Sequence, residues 1–162
     1  MAPRGTTGPD VEVELFVAAG PALVWDLVGD PTRMSDWSPE LVRSQWIGGA
    51  RGPAVGLRFR GHNRIGPRRW STVCTVVTHD RGREVAWDVT SVGLPVARWS
   101  YRLEPEGEGT VVRASFADHR GPLVTLAGRL VRGVGDVRAH NRAGLTRTLA
   151  AVKAAAEQAQ AR

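Results

Sequence analysis

Glu40 is the carboxylate whose sequence neighbours best suit it to proton transfer. It ends the string Trp37-Ser38-Pro39-Glu40, in which Pro39 keeps Ser38 out of the helical region and fixes a turn. Desolvation beside an aromatic ring favours the protonated form of a carboxyl group, which suits general acid–base chemistry. A carboxylate at such a turn is equally suited to capping backbone or pairing with an arginine. Glu40 is therefore a candidate catalytic residue, and both interpretations stay open.

Asp118 is the second candidate for acid–base chemistry. It lies two residues beyond Phe116, and therefore on the same face, at the end of a predicted strand. At that position its side chain is suited to facing the mouth of a cavity, and equally to capping or solvating a turn.

Two amides fall on faces that the sequence pattern turns inward. Asn63 shares the phase of Phe59 on a predicted strand, and Asn141 shares the phase of Leu145 on a predicted helix. A buried amide without a hydrogen-bond partner costs several kcal/mol, on the order of ~2–7. Each amide therefore either bonds to protein groups or faces a cavity that holds ligand or water.

Tryptophan is unusually frequent, with six among ten aromatic residues. Four of the six lie on the same strand faces as Val and Leu, which fits either the wall of a cavity for a flat ligand or ordinary core packing. With the two amides and three further apolar residues they form the predicted ligand-binding set. That set is Trp46, Phe59, Asn63, Trp70, Trp87, Trp99, Phe116, Asn141 and Leu145.

The sequence favours neither a metal site nor a nucleophilic triad. The four histidines (His62, His79, His119 and His140) show no ligand spacing, and Cys74 is the single cysteine. Gly133 and Gly135 lack the preceding strand that a phosphate-binding loop requires. We therefore predict no metal and no cofactor.

Period-two alternation predicts most of the elements that must position these residues. A strand over Val11–Val17 is followed by a short helix over Ala22–Val28, with Pro21 in its first turn, and by a second short helix from Asp30 to about Trp37. Six more strands follow between Leu41 and Phe116, separated by short Gly-containing turns that predict antiparallel hairpins. In the first of these strands, alternation places Val42, Ser44 and Trp46 on the same face.

The period changes to that of a helix after the last strand. Pro122 to Val131 is apolar at helical spacing, and Asp136 is suited to cap a long helix that runs to about Gln158. A sheet of seven strands with one apolar face needs a cover, and this helix is the element long enough to supply it. The fold class is therefore α+β, with a curved antiparallel sheet around the C-terminal helix.

Length and composition fit one globular domain. The chain has 162 residues, of which 42% are hydrophobic and 23% charged. We expect a disordered tail over residues 1–9 and one domain over residues 10–160. No apolar run reaches the roughly 20 residues of a membrane span, and the first residues lack the apolar core of a secretory signal, so integral membrane contact is not expected and the predicted location is cytoplasmic.

The net charge of +6 comes almost entirely from arginine, because Lys153 is the only lysine. This is typical either of arginine filling solvent positions or of a basic face for nucleic acid or anionic lipid. Outward-phase arginines on the predicted strands are diluted by nearby acidic residues, and no aromatic residues interleave with them. Specific nucleic-acid binding is therefore not expected. The outward arginines are Arg58, Arg60, Arg64, Arg98, Arg102 and Arg113, and the acidic residues are Glu12, Glu14 and Asp88.

Several local strings resemble the START-like (SRPBCC) superfamily, in its polyketide cyclase/dehydrase-like branch and among small actinobacterial members. They are Pro21-x-x-x-Trp25, Trp37-Ser38-Pro39-Glu40, Phe59-Arg60-Gly61-His62-Asn63, Arg69 to Cys74, and Asn141 to Leu149. The resemblance covers roughly Val11 to Glu157. It implies the helix-grip fold, with two short helices after the first strand and an apolar molecule held between sheet and helix.

Three functional hypotheses follow. The first is a carrier that binds a small hydrophobic or aromatic ligand, of polyketide or lipid type. The second is an aromatase/cyclase or dehydratase in which Glu40, Asp118 and Asn63 orient carbonyls and move protons. The third is an interaction module that uses a basic convex face. The sequence leaves open whether the chain is an enzyme, which ligand it takes and its oligomeric state.

Overall fold

The structure, a computed structural model, describes residues 8–162, so most of the predicted N-terminal tail lies outside it. The first strand, β1, spans Val11–Val17 and is followed by α1, Pro21–Val28, and by a 3-10 helix, Pro31–Asp36. Asp30 begins the 3-10 helix, because its side chain accepts a hydrogen bond from the Thr32 backbone N–H at 2.9 Å. The predicted order of strand and two short helices is thus confirmed.

Six further strands complete one antiparallel sheet of seven strands. Each hairpin turn pairs a strand with its successor, and β1 closes against β7, so the spatial order is β1-β7-β6-β5-β4-β3-β2. The sheet curves around the C-terminal helix and confirms the predicted helix-grip fold. The strands are β2, Leu41–Trp46; β3, Arg58–Ile65; β4, Arg68–Asp80; β5, Glu84–Ser91; β6, Leu94–Glu106; and β7, Gly109–Asp118.

The predicted face of β2 needs one correction. The pairing between β2 and β3 shifts between Leu41 and Arg43, so Val42 leaves the inward phase and is 55% exposed. A bulge inserts one residue into the ladder, and alternation before it no longer matches alternation after it. Trp46 lies after the bulge and keeps the inward phase, opposite Phe59.

Two helices follow the sheet. The first, α2, spans Pro122–Arg132, and the second, α3, spans Val137–Gln160. Asp136 caps α3 as predicted, with its carboxylate accepting from the Ala139 N–H at 3.0 Å. One stripe of α3 is buried against the sheet, and it consists of Asn141, Leu145, Thr148, Leu149, Val152 and Ala156.

The position of α3 leaves space over part of the sheet. The helix packs on β1, β7 and α1, at one side of the concave face. The central strands β3 to β6 therefore face the first turns of α3 across a gap. Among residues 8–162, no helix combines the length and apolar character that crossing a bilayer requires.

Candidate functional site

The gap between the central strands and α3 contains a cavity of about 110 Å³. Its walls come from three parts of the fold. The sheet contributes Phe59, Gly61, Thr72, Cys74, Trp87, Trp99 and Tyr101; α3 contributes His140, Asn141, Gly144, Leu145 and Thr148; and the segment before and into β2 contributes Met34, Ser38, Pro39, Glu40 and Leu41.

The sheet wall is aromatic because inward residues of neighbouring strands stand opposite one another. Trp87 pairs with Trp99 across β5 and β6, and its ring stacks on Tyr101 at 5.9 Å with an interplanar angle of 13°. Phe59 meets Trp87 edge-on at 6.0 Å. No Arg or Lys belongs to the described lining, so the wall favours an apolar guest over a highly charged one.

Asn141 supplies a buried polar group on the helix wall, with a donor that is free within the described chain. Its side chain is buried, and its Nδ2 atom finds no hydrogen-bond partner among residues 8–162. An unpaired buried amide costs roughly 1–3 kcal/mol, which a ligand oxygen would recover. Gly144, one turn later, has open space where a side chain would stand, so the helix backbone leaves room beside the amide.

The segment ahead of and into β2, residues 37–41, which we call the entrance segment, is held by local hydrogen bonds. Pro39 fixes the turn, and the Ser38 hydroxyl accepts from the N–H groups of Glu40 at 3.3 Å and Leu41 at 3.2 Å. The Trp37 indole donates to the Leu27 carbonyl at 3.0 Å, which ties the segment to α1. These bonds position the Glu40 side chain at the cavity wall.

Three side chains meet at that point and form what we call the Glu40 cluster: Glu40, Arg132 and His140. Arg132 Nη2 lies 3.2 Å from Glu40 Oε1, and His140 Nε2 lies 2.9 Å from Glu40 Oε2. The Arg132 guanidinium also lies over the Trp70 ring, 5.5 Å from its centroid. The cluster joins the entrance segment to both α2 and α3, so it closes one side of the cavity.

Sequence reasoning missed two members of this cluster. His140 and Arg132 lie 100 and 92 residues from Glu40, and neither has a spacing typical of a site. The pairing of Glu40 with an arginine is one of the two interpretations that the sequence left open. Its catalytic role stays a prediction.

Burial keeps two further cavity groups in their neutral forms. Burial raises the pKa of the Cys74 thiol to about 12, outweighing a hydrogen bond with Thr72 that lowers it. Burial likewise raises the pKa of the Tyr101 hydroxyl. A thiol of this kind is a poor nucleophile at neutral pH, so Cys74 contributes apolar wall rather than covalent chemistry.

The predicted ligand-binding residues fall into two groups. Phe59, Trp87, Trp99, Asn141 and Leu145 line the cavity. The other four, Trp46, Asn63, Trp70 and Phe116, lie outside the described lining.

Those four residues occupy the same face of the sheet but pack elsewhere. Trp46 packs on Phe59 at 5.6 Å, and Phe116 packs on Trp99 at 4.9 Å, so both support the wall from its two sides along the sheet. Asn63 is half-buried opposite Trp70, near the β3–β4 turn.

Asp118 caps the turn after β7 instead of lining the cavity. Its carboxylate accepts from the Arg120 backbone N–H at 3.0 Å and from the guanidinium at 2.6 and 2.8 Å. Burial raises the pKa of Asp118, but the hydrogen bonds and charge of Arg120 together outweigh it and lower the pKa. The carboxylate is therefore held ionised, as a structural ion pair.

Over residues 8–162, no group of three or more His, Cys, Asp or Glu side chains is arranged to hold a metal ion. The Glu40 cluster offers one carboxylate and one imidazole, and its third member is a cation.

A family model matches almost all of the described chain. It is described as polyketide cyclase / dehydrase and lipid transport, and the match covers residues 9–157. No protein of curated function matches the sequence significantly.

Solved structures share the fold. The di-domain aromatase/cyclase StfQ of the steffimycin biosynthetic pathway matches with a TM-score of 0.71 at 19% identity over 94% of this chain and 51% of its own, so this chain spans about half of that protein. The major latex-like protein 151 of Panax ginseng matches with a TM-score of 0.65 at 14% identity, over 90% and 95% of the two chains. A polyketide-cyclase-like protein of Corynebacterium glutamicum is 31% identical over 91% of this chain and 84% of its own, with a TM-score of 0.50.

Proposed function

The chain belongs to the polyketide cyclase/dehydrase and lipid transport family, and we propose on that premise that it binds a small, mainly apolar molecule carrying an oxygen acceptor. The observation that carries the proposal is the buried Asn141 amide, whose Nδ2 lacks a partner within the described chain and stands in a mainly apolar wall. Apolar walls with a few placed polar groups are typical of small-molecule sites.

The size of the cavity limits the ligand. At about 110 Å³ it is smaller than the roughly 150 Å³ apolar cavity known to hold benzene. In this conformation it is therefore too small to enclose a substituted ring, and a ligand of that size requires the cavity to widen. A ligand of several rings requires the Glu40 cluster to open, because that cluster closes one side of the cavity.

A matched pair of probes tests this proposal. Acetophenone and ethylbenzene have nearly the same shape and differ by the ketone oxygen, so the native protein should prefer acetophenone. Asn141→Leu should weaken the binding of acetophenone about fivefold to tenfold, which is the effect of one lost hydrogen bond. It should leave the affinity for ethylbenzene unchanged. Binding is measured by NMR chemical-shift titration, with thermal unfolding measured in parallel.

The matched control is Asn63→Leu, which replaces the other inward amide at a position outside the cavity lining. We expect it to leave the preference for acetophenone intact. If Asn141→Leu retains the preference, or loses several kcal/mol of stability with an unchanged ligand profile, the amide is a structural hydrogen-bonder and the proposal fails.

A second candidate function, carbonyl acid–base catalysis of the cyclase or dehydratase type, is favoured by one observation. The His140 ring lies 2.9 Å from Glu40, and both residues line the cavity. When Nε2 donates to the Glu40 carboxylate, Nδ1 carries the lone pair that accepts a proton. Such a pair can remove a proton next to a ligand carbonyl.

Exchange of the methyl hydrogens of acetophenone with solvent distinguishes the two functions. In D₂O, an enzyme with this pair should accelerate deuterium incorporation into the methyl group of acetophenone, and His140→Gln should abolish the acceleration while retaining binding. The carrier function alone predicts no acceleration over buffer. Exchange is followed by NMR or mass spectrometry, with the Asn63→Leu protein as the folded control.

A further inference from the structure

The helix α2 presents its apolar side to solvent. Leu123, Leu126 and Leu130 are 82%, 61% and 72% exposed. Their spacing of three and four residues places them on one stripe of the helix. None of the eleven residues of α2 is buried. Three adjacent exposed leucines form an apolar patch of the kind that marks an interaction site.

The opposite side of α2 faces the protein, which reverses the usual arrangement of an amphipathic helix. The half-buried positions are Val124, Thr125, Gly128 and Arg132, so small and polar groups fill most of the inward side. Arg132 fixes this orientation because its guanidinium bonds to Glu40 and lies over Trp70. The leucine stripe is therefore held outward by contacts on the other face.

The leucine stripe lies beside a strongly basic edge of the sheet. Between Leu41 and His79 the sequence contains seven arginines and no Asp or Glu. The β3–β4 hairpin carries Arg64 and Arg69, which pair across the turn, and Arg68. Arg68 Nη1 donates to the Leu130 carbonyl, so the hairpin tip lies against the C-terminal end of α2.

These arginines differ from those on the other half of the sheet. Arg98 pairs with Asp88 at 2.6 Å and Arg102 pairs with Glu84 at 3.2 Å. By contrast, none of the arginines between residues 41 and 79 lies within 4.0 Å of a carboxylate in the described part of the chain. Three of these uncompensated arginines, Arg64, Arg68 and Arg69, lie in the hairpin whose tip contacts the C-terminal end of α2.

We propose that α2 and the β3–β4 hairpin tip form a peripheral docking surface for an anionic lipid bilayer. This docking surface consists of Leu123, Leu126, Leu130 and Arg129 of α2 with Arg64 and Arg69 of the hairpin. The exposed leucines insert at the boundary between lipid headgroups and acyl chains, and the arginines contact the anionic headgroups. A single partner, the bilayer, therefore accounts for both the apolar and the basic residues.

Other occupants match only part of this surface. A second copy of the chain would bring two uncompensated basic edges together, and nucleic acid would leave the leucines in water. The surface also adjoins the proposed ligand cavity, because Arg132 of α2 contacts Glu40 in the cavity wall. An apolar ligand would have a short path between bilayer and cavity.

Vesicle co-sedimentation of the intact protein tests the proposal. The protein should bind phosphatidylcholine vesicles that contain phosphatidylglycerol, bind pure phosphatidylcholine weakly, and dissociate as salt is raised. Leu126→Asp should reduce binding to the anionic vesicles about tenfold, and Arg69→Glu should do the same. Both residues are exposed, so the fold should survive, which circular dichroism checks.

Two matched controls come from the loop between β2 and β3. Val55 is 63% exposed, close to the 61% of Leu126, and Arg51 is exposed like Arg69. This loop lies at the opposite end of β3, about 25 Å away. Val55→Asp and Arg51→Glu should therefore bind vesicles like the native protein. If Leu126→Asp fails to fold, Leu123→Asp at an 82% exposed position replaces it.

Three outcomes would overturn the proposal. One is equal vesicle binding by Leu126→Asp and Val55→Asp. Another is a self-associated native protein in gel filtration that Leu126→Asp converts to a smaller species, because the stripe would then bind a second copy. The third is binding to duplex DNA that Arg69→Glu abolishes and Leu126→Asp leaves intact, with no binding to anionic vesicles.

Discussion

Cys74 illustrates at the residue scale how burial sets chemistry. Its thiol lines the cavity and has a pKa of about 12, so at neutral pH it has about a thousandth of the thiolate of an ordinary cysteine. We expect the native protein to react with a thiol reagent about a thousandfold more slowly than the unfolded chain, with a rate that rises about tenfold per pH unit. The measurement is a thiol-reagent assay with and without denaturant.

The outcome of that assay is simple to interpret because Cys74 is the only cysteine. A fast reaction of the folded protein at neutral pH would show that the cavity opens often or that the thiol is ionised. Either result would contradict the burial of Cys74 in the cavity wall.

Asn141 and Glu40 show the same dependence on surroundings. Asn141 is a buried amide whose Nδ2 has no partner in the described structure, whereas Asn63, equally inward by sequence phase, lies outside the cavity lining. Glu40 gains an arginine and a histidine as neighbours, whereas the Asp118 carboxylate pairs with Arg120. Residue type thus identified the candidate site residues, and the contacts of each side chain in the folded protein distinguished those at the cavity from those elsewhere.

At the element scale, α3 determines whether the cavity exists. Its first turns carry His140 and Asn141 into the wall, and they depend on the Asp136 cap. Asp136→Ala should destabilise the protein by about 1 kcal/mol, because it removes the acceptor for an end N–H group of the helix. It should also weaken acetophenone binding, since the first turns position the amide.

Asp136→Asn is the control, because an asparagine side chain keeps a cap acceptor and should lose little stability. Both variants are compared by chemical denaturation. Equal stabilities of Asp136→Ala and the native protein would mean that packing, rather than the cap, holds the first turns of α3.

The helix α2 differs from α3 in how its pattern relates to burial. In α3 the apolar positions are the buried ones, as amphipathic spacing predicts. In α2 the leucines are exposed, because the contacts of Arg132 and Arg68 orient the helix by its polar side. Apolar periodicity alone therefore predicted that α2 is a helix but not which side packs.

At the scale of the whole molecule, positively charged side chains are kept out of the cavity. The cavity lining holds neither Arg nor Lys in the described chain, whereas Arg64, Arg68 and Arg69 of the β3–β4 hairpin are exposed. Salt therefore distinguishes the two proposed interactions. Affinity for an uncharged ligand in the cavity should be insensitive to salt, whereas vesicle binding should weaken, because only the second depends on charge pairing.

The sequence by itself determined the elements and their phases. Alternation in strands such as Val11–Val17, the cap at Asp136 and the apolar stripe of the last helix are local patterns, and local patterns depend on backbone geometry that repeats every two or 3.6 residues. Only the order of these elements was then needed to predict an antiparallel sheet covered by one long helix.

The tertiary structure alone decided three features. They are the bulge that exposes Val42, the outward leucines of α2, and the meeting of Glu40 with Arg132 and His140 across about a hundred residues of chain. Each depends on how separate elements pack, since a one-residue shift in pairing or a rotation of a helix leaves local periodicity unchanged. The candidate site is built from such contacts, which is why its aromatic wall was predicted more completely than its polar cluster.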